Sequence, residues 1–123
     1  MDEVEQAKSM TLAMIKKELG AYIPMMHETI GGGWSLKERD DVLELGFSGE
    51  FDGWANLEGL VRDACMMLMR RFRKHSGNRV QMGGWVKDGK WRMSLKLGGS
   101  KLFDLCVWSD IDDSKKVKIQ LVS

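Results

Sequence analysis

The chain has few of the residues that carry unusual chemistry or unusual folds: one proline, two cysteines, two histidines and one tyrosine in 123 residues. So little proline, beside 43% hydrophobic and 30% charged residues, excludes a collagen-like or disordered chain. The cysteines, Cys65 and Cys106, fall on what read as a helix interior and a strand. With no secretory segment visible they point to free, reduced thiols rather than a disulfide framework. His27, His75 and the two cysteines stand singly, with no CxxC, HxxxH or HExxH spacing among them, so no metal site and no cofactor is expected.

Long apolar runs are also missing. Stretches such as Ala64–Met69 are far shorter than the roughly 20 residues a membrane-spanning helix needs. The N-terminus reads Met-Asp-Glu-Val-Glu, acidic where an export signal carries positive charge. These features lead to the expectation of a small soluble protein of the cytoplasm. A length of 123 residues suits one domain, 1–123, with a single core.

Signatures of catalysis are absent in the same way. There is no GxSxG elbow and no GxxxxGK[ST] after the Gly31–Gly33 run, which reads as a turn. Asp110, Asp112 and Asp113 lack the glycine and terminal glutamate of a calcium loop and read as a solvated turn. Glu50 and Asp52 are close acids near a strand end, and Asp52 reads better as the cap of a helix. No residue is assigned a catalytic role.

What is present is periodicity. Asp2 and Glu5 stand at capping-box spacing ahead of an apolar stripe made of Val4, Ala7, Met10, Leu12, Met14, Ile15 and Leu19. Gly20, with Pro24 beyond it, places the end of this first helix at about Leu19; a short helix near Met25–Thr29 could follow. Leu43, Leu45 and Phe47 alternate with polar or small residues in a strand at about Val42–Ser48, with Trp34–Leu36 as its candidate partner. A second helix carries Leu57, Leu60, Val61, Ala64, Leu68 and Phe72 on one face, has Arg70, Arg71, Arg73 and Lys74 in its last turns, and stops at Gly77.

The last third reads as a four-stranded β-meander. Val80–Lys87 turns at Asp88-Gly89, a type I′ signal, into a strand whose Trp91, Met93, Leu95 and Leu97 share one face. Gly98-Gly99 turns the chain into Leu102–Trp108, with Phe103, Leu105 and Val107 inward; Val117, Ile119 and Leu121 complete a final strand. The fold class is therefore α+β, two main helices packed on one face of a curved antiparallel sheet. The order of elements is similar to that of the cone-shaped nuclear-transport-factor-like domains, a likeness of order alone that transfers no functional residue.

Charge gives the functional expectation. Net charge is +1, yet residues 1–69 hold 6 Lys/Arg against 13 Asp/Glu, and residues 70–123 hold 13 against 5. Strand parity turns Lys90, Arg92 and Lys96 outward, and by extension Arg79, Lys116 and Lys118, with Trp85 and Trp108 among them. Cations interleaved with aromatic rings suit an anionic macromolecule, a nucleic acid or an acidic protein surface, engaged without catalysis. The alternatives are an apolar Met- and Trp-lined small-molecule pocket between the second helix and the sheet, with or without catalysis of an unassigned reaction, and a homodimer through the outer sheet face.

Overall fold

The computed structural model describes residues 3–30, 34–47, 57–75, 77, 79–110 and 113–122. Among them are two helices, α1 (Glu3–Ile30) and α2 (Leu57–His75), and seven strands. The strands are β1 (Trp34–Arg39), β2 (Val42–Phe47), β3 (Val80–Met82), β4 (Val86–Asp88), β5 (Lys90–Leu97), β6 (Ser100–Asp110) and β7 (Asp113–Val122). All pairings are antiparallel, in the order β1-β2-β7-β6-β5-β3, with β4 on the same strand β5. The first hairpin thus closes against the last strand, and the α+β class holds.

Alternation along the strands builds the core. Leu43, Leu45, Met93, Leu95, Phe103, Leu105, Val107, Val117 and Ile119 are at most 1% exposed and form one cluster with Leu12, Ile15 and Leu19 of α1 and Val61, Cys65, Leu68 and Met69 of α2. Both helices therefore cover the same sheet face. Each such side chain contributes roughly 1.5–3 kcal/mol by leaving water. An Arg71–Glu18 pair at 3.6 Å and a Lys16–Glu38 pair at 3.0 Å tie α1 to α2 and to β1 at the rim.

Several expectations need correction. The first helix does not stop at Leu19 but runs on through Gly20 and Pro24 to Ile30, 28 residues in all, and absorbs the short helix expected at Met25–Thr29. A helical glycine costs about 1 kcal/mol relative to alanine, which Leu12, Ile15 and Leu19 offset by burial. Met10, placed on the apolar stripe by spacing, is 68% exposed; the buried line runs instead through Thr11, Leu12, Ile15 and Leu19.

The strand expected over Val80–Lys87 is two strands. β3 and β4 both pair with β5, and Gly83–Trp85 interrupts them, with the Gly83 amide donating to the Ser94 carbonyl at 3.0 Å. An interrupted edge offers no continuous ladder to another chain. Asp88-Gly89 does reverse the chain, but not as a two-residue turn: Asp88 pairs with Lys90, and Gly89 alone has positive φ, +70°. Two-residue turns with both φ values positive, as type I′ requires, occur at Asp40-Asp41 (51° and 64°) and at Gly98-Gly99 (60° and 86°).

Leu97, assigned to the core, is 44% exposed, because it ends β5 beyond a register shift at Leu95/Lys96 and next to the Gly98-Gly99 turn. Helix α2 ends where expected, and the Gly77 amide donates to the Lys74 carbonyl there. The side chains of Leu57 and Leu60, the Gly31–Gly33 run, Glu50, Asp52 and Asp112 lie outside the described residues or side chains. No described helix is long and apolar enough to cross a membrane.

Candidate anion-binding face

The sheet face opposite the helices is where the cations gather. Antiparallel pairing places directly opposed residues on the same face, so the register reads out the rows that cross it. One row runs Lys37, Glu44, Lys118, Trp108, Lys90 and Asp88 across β1, β2, β7, β6, β5 and β4. The next runs Arg39, Val42, Gln120, Cys106, Arg92 and Val86. Lys116, opposite Gly46 and so in line with Ser35, extends the face at one end; Ser94 and Asp104 lie beyond the second row at the other.

Lys90 and Arg92 are exposed, Trp108 and Lys118 are half-buried, and Lys116 is exposed. The ammonium of Lys90 stands 3.8 Å from the centroid of the Trp108 ring, a cation–π contact that holds the indole against the sheet. Sequence parity alone missed Lys37 and Arg39, because the first hairpin strand was expected to end at Leu36. The signal was there: Ser35, Lys37 and Arg39 alternate with Leu36 and Glu38, and extending the strand by three residues finds both cations.

One carboxylate is built into the face. Asp104 is only 5% exposed; Ser94 Oγ donates to its Oδ1 at 2.6 Å, and Lys101 Nζ lies 2.8 Å from its Oδ2. Burial by itself would raise the Asp104 carboxyl. The hydrogen bonds from Lys101 and Ser94, with the charges of Lys101 and Arg92, outweigh burial and hold it below the usual carboxylate range. It stays ionised, with Lys101 as its ion-pair partner.

The expected residues are only partly brought together. Lys90, Arg92, Trp108, Lys116 and Lys118 share the central rows. Lys96 and the exposed Arg79 lie toward the other end of β5 and β3, with Ser94 and Asp104 between them and the central group. Trp85 is half-buried and packs against the core instead of joining the outer face, since its neighbour Val86 takes the outward position opposite Arg92. Trp91 is likewise on the helix side, where the Arg62 guanidinium covers its ring at 3.9 Å and Lys87 approaches at 5.4 Å.

Part of the acidic first half of the chain is engaged on the helix side. Among the described residues its Glu5, Glu18 and Glu38 pair with Lys8, Arg71 and Lys16 on the helix side, and β1 sends Lys37 and Arg39 outward. Glu44 is its one acid in the rows just described.

Between α2 and the sheet, Val61, Cys65, Leu68 and Met69 meet Met93, Leu95, Phe103 and Leu105 with all of them buried. Burial pushes the Cys65 thiol up to about 12, which makes it an inert packing group. A cavity of about 310 Å³ lies elsewhere, between α1 and α2, lined by Glu18, Leu19, Asp63, Ala64, Met67, Leu68 and Arg71. No cluster of His, Cys, Asp or Glu suited to a metal occurs among the described residues. Fold and face together define an α+β protein whose described outer sheet rows carry more cations than acids. Set against known protein families, curated proteins and solved structures, the chain matches none.

Proposed function

We propose that the chain is a non-enzymatic binding module that engages an anionic macromolecule on the outer face of its sheet. The observation that carries this reading is the convergence of Lys37, Arg39, Lys90, Arg92, Lys116 and Lys118 from three strands, β1, β5 and β7, onto one side, around a partly exposed tryptophan. Cations drawn from both ends of the sequence add their fields there, and a polyanion bridging several of them releases counterions when it binds. The two unpaired buried thiols accord with a reducing compartment, and the cytoplasm is where we place the interaction.

Titration of labelled polyanions, a single-stranded oligonucleotide and polyglutamate, by fluorescence anisotropy tests the proposal. At least one binds at low salt, with affinity falling about tenfold or more between roughly 50 and 200 mM salt. Arg92→Glu weakens it by about tenfold. Absence of binding at low salt, or an unchanged affinity in Arg92→Glu, overturns it.

A further inference from the structure

The central row holds more than charge. Trp108 stands on β6 with Lys118 directly opposite on β7 and Lys90 on β5, the latter with its ammonium over the indole. The flanking strands lie about 4.8 Å to either side, and Lys90 and Arg92, like Lys116 and Lys118, are about 7 Å apart along their strands. A flat aromatic is therefore bracketed on both sides by pairs of cations at a spacing comparable to that of successive phosphates in an extended single strand. Acidic side chains would use the cations and leave the ring without a role, since the negative face of an indole does not attract a carboxylate. A nucleotide uses both.

We infer that the ligand of this face is a single-stranded nucleic acid, one base of which stacks on Trp108 while Lys90 moves from the ring to an adjacent phosphate. The inference rests on the proposed binding to the outer sheet face and deepens it. In the free protein Lys90 covers the indole and keeps it from presenting a bare apolar surface. On binding, the ammonium exchanges a ring for a phosphate and the base takes the ring, so both contacts are kept with new partners. Trp91 cannot serve in the same way, because it packs against the core and Arg62 of α2 lies over its ring. The described face is a sheet surface with no helix on it to enter a duplex groove, which favours a single strand lying across it.

The test compares four labelled probes on the wild-type protein: oligothymidylate of about 12 nucleotides, an abasic sugar-phosphate chain of equal length, a duplex of equal length, and polyglutamate. The expected result is oligothymidylate binding about tenfold tighter than the abasic chain, and tighter than duplex or polyglutamate. Trp108→Leu loses that tenfold on oligothymidylate and nothing on the abasic chain, and Trp108→Tyr, which keeps a ring, retains most of it. Equal, salt-sensitive binding of thymidylate and abasic chains overturns base stacking while leaving the basic-face proposal standing. Tighter binding of polyglutamate assigns the face to an acidic protein instead, and tighter binding of the duplex likewise removes the single-strand assignment. Failure of all four probes removes both proposals. The thymidylate-to-abasic ratio is measured on the unmodified chain, so it decides the matter even if Trp108→Leu does not fold.

Discussion

Asp104 shows how a single buried charge is made tolerable. Desolvation disfavours its ionised form, and two hydrogen bonds with two nearby cations more than reverse that. A carboxyl whose folded value lies below its unfolded one contributes stability that is complete above the unfolded value, near pH 4. That contribution is lost as pH falls through the lower, folded value. Urea unfolding across pH checks this: Asp104→Asn costs about 1 kcal/mol at neutral pH, modest because Lys101 is half-exposed, and the gap to wild type closes below about pH 4. A gap that widens in acid contradicts the assignment. Cys65 illustrates the opposite case, a titratable group held neutral by burial with a value of about 12. At pH 8 a thiol-reactive disulfide reagent modifies it only through opening of the fold, at the rate measured for native-state opening, whereas in denaturant it reacts at once. Rapid reaction of Cys65 in the native protein contradicts its placement.

Elements carry the next set of consequences. The length of α1 was not legible from its local signals, since Gly20 followed by Pro24 reads as a stop, yet the helix runs on to Ile30. A methyl group added at Gly20 meets nothing within 4 Å, so Gly20→Ala raises stability by about 1 kcal/mol, a rise of a few degrees in Tm by circular dichroism. If the helix ended at Leu19 with Gly20 in a left-handed cap, the same change would lower it. The β1–β2 turn places two adjacent aspartates at positive φ, 51° and 64°, where Asn-Gly is preferred. The double change Asp40→Asn, Asp41→Gly raises stability by roughly 0.5–1 kcal/mol by relieving backbone strain and like-charge contact. A fall in Tm would show that these carboxylates have partners the turn depends on. By contrast the C-terminal end of α2 was legible nearly to the residue, because a basic last turn and a glycine stop agree.

At the scale of the whole molecule, the partition of charge is the feature that matters. A net charge of +1 hides a helix side where acids of the first half meet Lys8, Lys16 and Arg71, and a sheet side where cations from β1, β5 and β7 accumulate. A ligand that binds only the folded chain stabilises it by mass action. A saturating anionic oligomer at low ionic strength therefore raises Tm by several degrees, with the gain abolished at high salt or by Arg92→Glu. An equal gain in Arg92→Glu would move the binding surface elsewhere, for instance to the arginines at the end of α2.

By itself the sequence determined the α+β class, the second helix, the inward sets on β5, β6 and β7, and the outward direction of Lys90, Arg92 and Trp108. Period-two alternation and helical periodicity are local properties, and each forces one face of an element toward the core. Only the tertiary structure decided that β2 lies beside β7. That pairing brings Lys37 and Arg39 into rows with Lys118 and Arg92, and no local pattern encodes which distant strand will be a neighbour. It also withdrew Trp85 to the core side and exposed Leu97, because a broken edge strand and a register shift change which face a residue takes without changing the pattern of residue types.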